Sequence, residues 1–279
     1  MPSIAAERFR KLVEVMRALR SPEGCPWDRE QTLKTLVPFV LEETYEVIDA
    51  IERDDLAALK EEVGDLIFEG VFLAQVASDA GAFTVADALQ YVVDKLIRRH
   101  PHVFDEHGQV HDAESKKRAP SARAALECWE SLKARERTES GQTHSTLNGL
   151  PASLPALLRA FKIGKRVAAV GFDWPHAADV LAKVDEEVAE LREAVERGSQ
   201  RLPDDRARIE EEMGDLLFAL ANVSRHLGIE PEAALRRAND KFTQRFCEVE
   251  RRFAERGRRL DQSTLEEMDA EWQRVKEVS

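Results

Sequence analysis

Apolar residues recur at helical spacing along almost the whole chain. Phe9, Leu12, Val13, Met16 and Leu19 form one stripe, Val40, Tyr45, Val47, Ile48 and Ile51 a second, and Leu66, Ile67 and Leu73 a third. Such spacing is that of an amphipathic helix, and the strict alternation of a half-buried strand is absent. The breaks fall where helix ends are expected. Ser21-Pro22-Glu23-Gly24 closes the first stripe, Asp54-Asp55 separates the next two, and Gly81 precedes a capping-box pattern from Thr84 to Asp87. Four or five helices are predicted between residues 4 and 138. The fold class read from this pattern is all-α.

The second half of the chain repeats the first. The octets EEVGDLIF (Glu61 to Phe68) and EEMGDLLF (Glu211 to Phe218) agree at six of eight positions. Each is preceded by an EExxE run, Glu42, Glu43 and Glu46 in one half and Glu186, Glu187 and Glu190 in the other. Each is followed by Asp-Lys with an Arg four residues on (Asp94, Lys95, Arg99; Asp240, Lys241, Arg245), and then by Trp with Lys (Trp129, Lys133; Trp272, Lys276). The offsets run 144, 150, 146 and 143, so the copies differ by loop insertions such as Gly198 to Pro203. The Thr-, Ser- and Gly-rich stretch after Thr138 reads as a linker. The expected organisation is a helical module over residues 1–137, a linker over 138–150 and a second, catalytic module over 151–279.

Composition narrows the function classes. Of 279 residues, 34% are charged and only 13 are Gly and 11 Pro, which favours solvated helices over a turn-rich β-protein. With 41 Lys+Arg against 53 Asp+Glu the formal charge is −12, which repels nucleic acid and anionic membranes. Neither is expected as a partner. An anionic small molecule remains admissible, because a divalent cation reverses the local field of an acidic pocket. Cys25, Cys128 and Cys247 form no CxxC pair, and no leader or bilayer-length apolar run is visible, so a cytoplasmic location is expected.

The chemistry lies in the acids. Residues three and four apart share a helix face, so Glu187 and Glu190 point one way, as do Glu212 and Asp215, and in the first half Glu43 with Glu46 and Glu62 with Asp65. Like charges so placed repel, and four converging carboxylates raise one another's pKa unless a cation sits among them. A solvated helix face is the bland alternative for any one EExxE run. Against it stand the duplication and the apolar residues around Asp215, namely Met213, Leu216, Leu217, Phe218 and Leu220, which predict a costly buried charge unless it is paired or metal-bound. All-oxygen ligands suit Mg²⁺ or Mn²⁺, and Mg²⁺ commonly takes further ligands from substrate phosphates.

Cations follow in the sequence. Lys241 and Arg245 are spaced to face phosphate oxygens together, or to form an ordinary surface pair. Lys183, four residues before Glu187, is placed either to reach a phosphate or to pair with Glu187. Trp272 with Lys276 either closes over a base and sugar or is core. Phe39 replaces Lys183 in the first half and Ala58 replaces Arg208, which makes the second half the expected catalytic copy. The first-half set Glu43, Glu46, Glu62 and Asp65 is a possible second metal site. The histidine-rich stretch His100 to His111 lacks accompanying cysteines and reads as a loop, not a zinc site. No Glu-x-x-His pair supports a di-iron bundle, and Gly164-Lys165 lacks the rest of a P-loop.

EExxE, ExGDL[IL]F, NDKFxxRF (Asn239 to Phe246) and WxxVK (Trp272 to Lys276), together with CPWD (Cys25 to Asp28) and RRHPHVF (Arg98 to Phe104), closely resemble the MazG nucleoside triphosphate pyrophosphohydrolases over essentially the whole chain. The resemblance implies a helical-bundle homodimer that binds Mg²⁺ and splits a nucleoside triphosphate into monophosphate and pyrophosphate, with nucleotide-pool housekeeping as the expected role. Carried over by motif, Glu187, Glu190, Glu212 and Asp215 correspond to metal ligands, and Lys183, Lys241, Arg245 and Trp272 to nucleotide contacts, to which Arg208 and Lys276 are added as candidate substrate contacts from the residues themselves. Water is the expected nucleophile, since no Ser–His or Cys–His pairing accompanies the acids, and Glu186 is the carboxylate assigned to take its proton.

Overall fold

The computed structural model describes residues 3–105, 107–111, 121–139, 145–197 and 203–278. Every named element is helical: α1 (Ile4–Leu19), α2 (Pro26–Glu30), α3 (Val37–Glu52), α4 (Leu56–Asp79), α5 (Val85–Arg99) and α6 (Ala122–Glu139), then α7 (Ala156–Ala168), α8 (Ala177–Arg197), α9 (Pro203–His226), α10 (Pro231–Glu255) and α11 (Leu265–Val278). Only an isolated bridge between Phe104 and Val110 pairs extended backbone among the described residues. The all-α expectation therefore holds, with α6 running two residues into the stretch read as linker; residues 140–144 of that stretch, and the insertion up to residue 202, lie outside the described residues. The chain divides into two compact units, Met1–Glu139 and Ser140–Ser279. No described helix is long and apolar enough to cross a membrane.

Local chemistry sets the helix limits. Ser3 Oγ accepts from Ala6 N at 3.3 Å, and one Asp55 carboxylate oxygen accepts from Ala57 N and Ala58 N at 3.0 Å, satisfying donors that the first turn leaves unpaired. The capping box is present: Asp87 N donates to Thr84 Oγ1, and Thr84 N to the Asp87 carboxylate. Glu230 caps α10, accepting from Glu232 N and Ala233 N. Gly24 is required by a close approach, since a Cβ there would stand 2.2 Å from the carbonyl oxygen of Leu19.

In the first unit α4 is central, packing against α3, α1 and α5. Met16, Leu36, Val71 and Phe72 are buried at its heart, with Phe9, Leu12, Phe39 and Phe68 packed around them. Full burial of side chains of this size contributes about 1.5–3 kcal/mol each. Arg20 ties the layers together: it donates to Asp79 Oδ2 at 2.6 Å and to the carbonyls of Asp28 and Gln31, with its guanidinium over the Phe72 ring.

In the second unit α9 lies against α8 and α7, burying Val180, Ala194, Ala219, Ala221 and Val223. Arg225 donates to both Asp173 oxygens, and the His226 ring lies 3.0 Å from Asp173 Oδ1, anchoring the loop before α8 to the end of α9. Farther along, α11 packs on the C-terminal part of α10 through Val249, Phe253 and Val275, with Leu260, Met268 and Trp272 alongside.

Candidate metal and nucleotide site

Both units present three carboxylates at metal-binding range. Glu43, Glu62 and Asp65 offer one oxygen each within 4.8 Å of one another, and Glu187, Glu212 and Asp215 do the same. The pairing of helices explains this: α3 against α4, and α8 against α9, sets an EExxE face opposite the ExxD face of the octet. Glu46 and Glu190 lie one turn away and outside these triples. Burial, followed by the charges of Glu187 and Glu212, raises the Glu190 carboxyl above its ordinary range. Glu43 and Glu62 are likewise raised, by desolvation first and then by neighbouring carboxylates.

The two centres differ in their cations. Lys183 Nζ lies 2.8 Å from Glu187 Oε1 and 2.9 Å from Glu186 Oε1, and Arg208 Nε lies 3.7 Å from Glu212 Oε1. Those bonds to Glu187 and Glu186 raise the Lys183 ammonium above its ordinary range. Phe39 and Ala58 leave the first centre without these contacts, and Phe39 packs instead against the core and the edge of Trp27.

One expectation is corrected. Asp215 is exposed, and Met213, Leu217, Phe218 and Leu220 around it are 43–45% exposed. The cause is that α9 turns one face to α7 and α8 and leaves the other open, so the apolar segment does not enclose the carboxylate. The buried acid is Glu187, 5% exposed, and its Oε2 has no hydrogen-bond partner. An unpartnered oxygen on a buried carboxylate grouped with Glu212 and Asp215 fits an oxygen-coordinated divalent cation.

The remaining residues read from the sequence belong to α10 and α11. Lys241 is exposed and Arg245 half-buried, one turn apart on α10. Trp272 is half-buried and packs beside the α10–α11 core, its ring 4.9 Å from that of Phe242, and neither Lys241 nor Lys276 makes a described ion pair with the acids. In the first unit Arg99 stacks on Trp129 and donates to Glu136, so this Arg and Trp act as structural partners; the Lys133 side chain lies outside the described residues. Gly64 and Gly214, at the same place in the two octets, have no atom within 4 Å of where a Cβ would stand. Glycine inside a helix costs about 1 kcal/mol relative to alanine, so each helix carries an open notch at some cost to its own stability.

A family model for the MazG nucleotide pyrophosphohydrolase domain matches residues 31–104 and again 177–249, the segments that carry the two acidic triples. The chain belongs to the MazG family. It is 48% identical over 271 residues to the nucleoside triphosphate pyrophosphohydrolase of Escherichia coli K12, covering 95% of this chain and 96% of that protein. It is 39% identical over 268 residues to the nucleoside triphosphate pyrophosphohydrolase/pyrophosphatase MazG of Thermotoga maritima, covering 96% and 95%. A crystal structure of a MazG-related protein from Thermotoga maritima aligns with 46% of this chain and 98% of its own at 32% identity, with a TM-score of 0.34.

Sequence reasoning missed Glu69. It is 6% exposed with its Oε2 unpartnered, one turn beyond Asp65 on α4. The signal was the residue following the octet, Glu69 in one copy against Ala219 in the other.

Proposed function

We propose that this MazG-family chain hydrolyses nucleoside triphosphates to the monophosphate and pyrophosphate at the acidic centre of its second unit, with Mg²⁺ as the cofactor and Mn²⁺ as a substitute. The observation that carries the proposal is Glu187: a buried carboxylate with an unpartnered oxygen, within 4.8 Å of oxygens of Glu212 and Asp215. The relatives' designation as nucleoside triphosphate pyrophosphohydrolases supports the reaction class.

Glu187, Glu212 and Asp215 would hold the cation, with Glu190 one turn away completing the set. When bound, it supplies positive charge to the triphosphate oxygens and acidifies water for in-line attack. The protein's own groups do the rest. Lys183, shared between Glu186 and Glu187, is positioned to exchange a carboxylate for a phosphate oxygen, and Arg208 beside Glu212 does the same. Such an exchange frees Glu186, which is exposed, to accept the proton of the attacking water. Lys241 and Arg245 neutralise the departing pyrophosphate, and Trp272 with Lys276 bounds the nucleoside end.

A homodimer belongs to the same reading, since the half-exposed apolar face of α9 needs a cover and no described helix of its own unit supplies one. Nucleotide-pool housekeeping in the cytoplasm is the corresponding role. The reading is tested by separating the products formed from a panel of ribo- and deoxynucleoside triphosphates with Mg²⁺ and with EDTA. Equimolar monophosphate and pyrophosphate, formed only with Mg²⁺, are expected; diphosphate and inorganic phosphate contradict it.

A further inference from the structure

Arg98 and Arg99 lie three and four residues after Lys95 on α5, so the three cations share one face. Two of them close on a single carboxylate. Glu136, on α6, accepts from Arg98 Nε through Oε1 at 2.7 Å, and from Arg99 Nη2 and Nε through Oε2 at 2.5 and 3.0 Å. The Arg99 side chain is 15% exposed, and its guanidinium also lies over the Trp129 ring, 5.3 Å from the centroid. An aromatic face thus holds this guanidinium in place together with the acid. The bonds from Arg99, and then from Arg98, hold the Glu136 carboxyl down to about 2, so it is ionised throughout the neutral range.

The same positions in the second unit are those proposed above to receive phosphates. Aligned at the Asp-Lys pair, Lys95 and Arg99 correspond to Lys241 and Arg245, and Arg98 to Gln244. Aligned at the tryptophans, Glu136 corresponds to Ser279. The first unit therefore keeps both cations, adds a third, and brings to them an acid that the other copy lacks. Paired guanidinium groups suit an oxyanion with several oxygens. A carboxylate offers two oxygens and one negative charge, whereas a diphosphate group offers more of both.

We propose that Lys95, Arg98 and Arg99 form an oxyanion site for a diphosphate group, and that Glu136 fills this site as an internal ligand. Glu136 stands where phosphate oxygens would bind, so a diphosphate enters the first unit only by displacing it. The loss of Lys183 and Arg208 counterparts acts at the acids on α3 and α4; Glu136 acts on a separate group of cations, on α5. The proposal rests on reading Lys241 and Arg245 as phosphate contacts of the second unit, but not on hydrolysis there.

The test is a calorimetric titration of the metal-free full chain with inorganic pyrophosphate. Glu136→Gln is expected to bind one more pyrophosphate per chain than the wild type, and pyrophosphate raises its melting temperature by more. The added site disappears when Arg99→Gln is combined with Glu136→Gln, and persists when Lys241→Gln is combined with it. Glu136→Asp, whose carboxylate stands one methylene farther back, gains the same site and provides a second route should Glu136→Gln fold poorly. A folded variant that binds no more pyrophosphate than the wild type overturns the proposal and leaves Glu136 a structural tie between α5 and α6; so does an added site that survives Arg99→Gln. Repeating the titration with an α,β-methylene nucleoside triphosphate assigns the source of the diphosphate. Occupation of the added site by both ligands makes it the end of a nucleotide, and occupation by pyrophosphate alone makes it the free anion. Wild-type pyrophosphate binding untouched by Lys241→Gln would sink the phosphate reading of the second unit, while a gain in Glu136→Gln would leave the first-unit site standing.

Discussion

Lys183 Nζ stands 2.8 Å from Glu187 Oε1, and in the first unit the same position is occupied by Phe39. With Ala58 in the place of Arg208, this substitution between two copies of a module separates an acidic centre with built-in counterions from one without them. In the absence of substrate the lysine is a neutralising partner; with substrate, the proposed chemistry makes it a phosphate ligand.

The first prediction follows from this pair. Lys183→Met strips the buried Glu187 carboxylate of its counterion beside Glu212 and Asp215, so the metal-free protein loses about 1–3 kcal/mol of stability. A charge-assisted contact to phosphate contributes about 1.5–3 kcal/mol, so the KM for a nucleoside triphosphate rises about tenfold or more. Thermal melts and steady-state kinetics on one preparation separate the two effects. An unchanged KM would make Lys183 purely a partner of Glu187.

Glu271 offers a stability test remote from the acids. Its side chain is 1% exposed and accepts hydrogen bonds from Arg252, Arg256 and Arg274, which hold its carboxyl down to about 2. A carboxylate with a depressed folded-state pKa stabilises above its unfolded value and loses that contribution as pH falls through the folded one. Glu271→Gln therefore destabilises the α10–α11 contact by about 1.5–3 kcal/mol at pH 7. The difference from wild type shrinks as pH falls from about 4.5 toward 2, as urea melts followed across that range would record. A difference independent of pH would assign the loss to packing.

The open face of α9 gives the third. Leu217 is 45% exposed and belongs to the apolar group with Met213, Phe218 and Leu220. If a second copy covers this face, Leu217→Arg puts a charge into the interface and shifts sedimentation from dimer to monomer, with helical content retained. A monomeric wild type would show that the face has another use.

The helices were legible because their stripes and caps are local: Thr84 with Asp87, and Asp55 ahead of α4, act within four residues. Duplication made the acid pairs legible too, since spacing alone sets Glu212 and Asp215 on one face. Burial was not legible. The apolar run around Asp215 reads like a core, yet which face of α9 is covered depends on how α7 and α8 pack against it, which the spacing along α9 does not state. The same ignorance hid Glu69, whose side chain is sealed while its flanking carboxylates are half open. For Trp272, half-buried and packed against Phe242, helical spacing alone did not separate a nucleoside contact from a core role.

The central claim is that the second acidic centre performs the hydrolysis, and it is tested most directly by comparing Glu187→Gln with Glu43→Gln. Monophosphate and pyrophosphate are measured for each under saturating Mg²⁺ and nucleoside triphosphate. The account predicts that Glu187→Gln lowers kcat at least a hundredfold, the scale of removing a group that anchors transition-state charge, while Glu43→Gln retains turnover. Full activity in Glu187→Gln, or its loss only in Glu43→Gln, would contradict it and move the chemistry to the first unit.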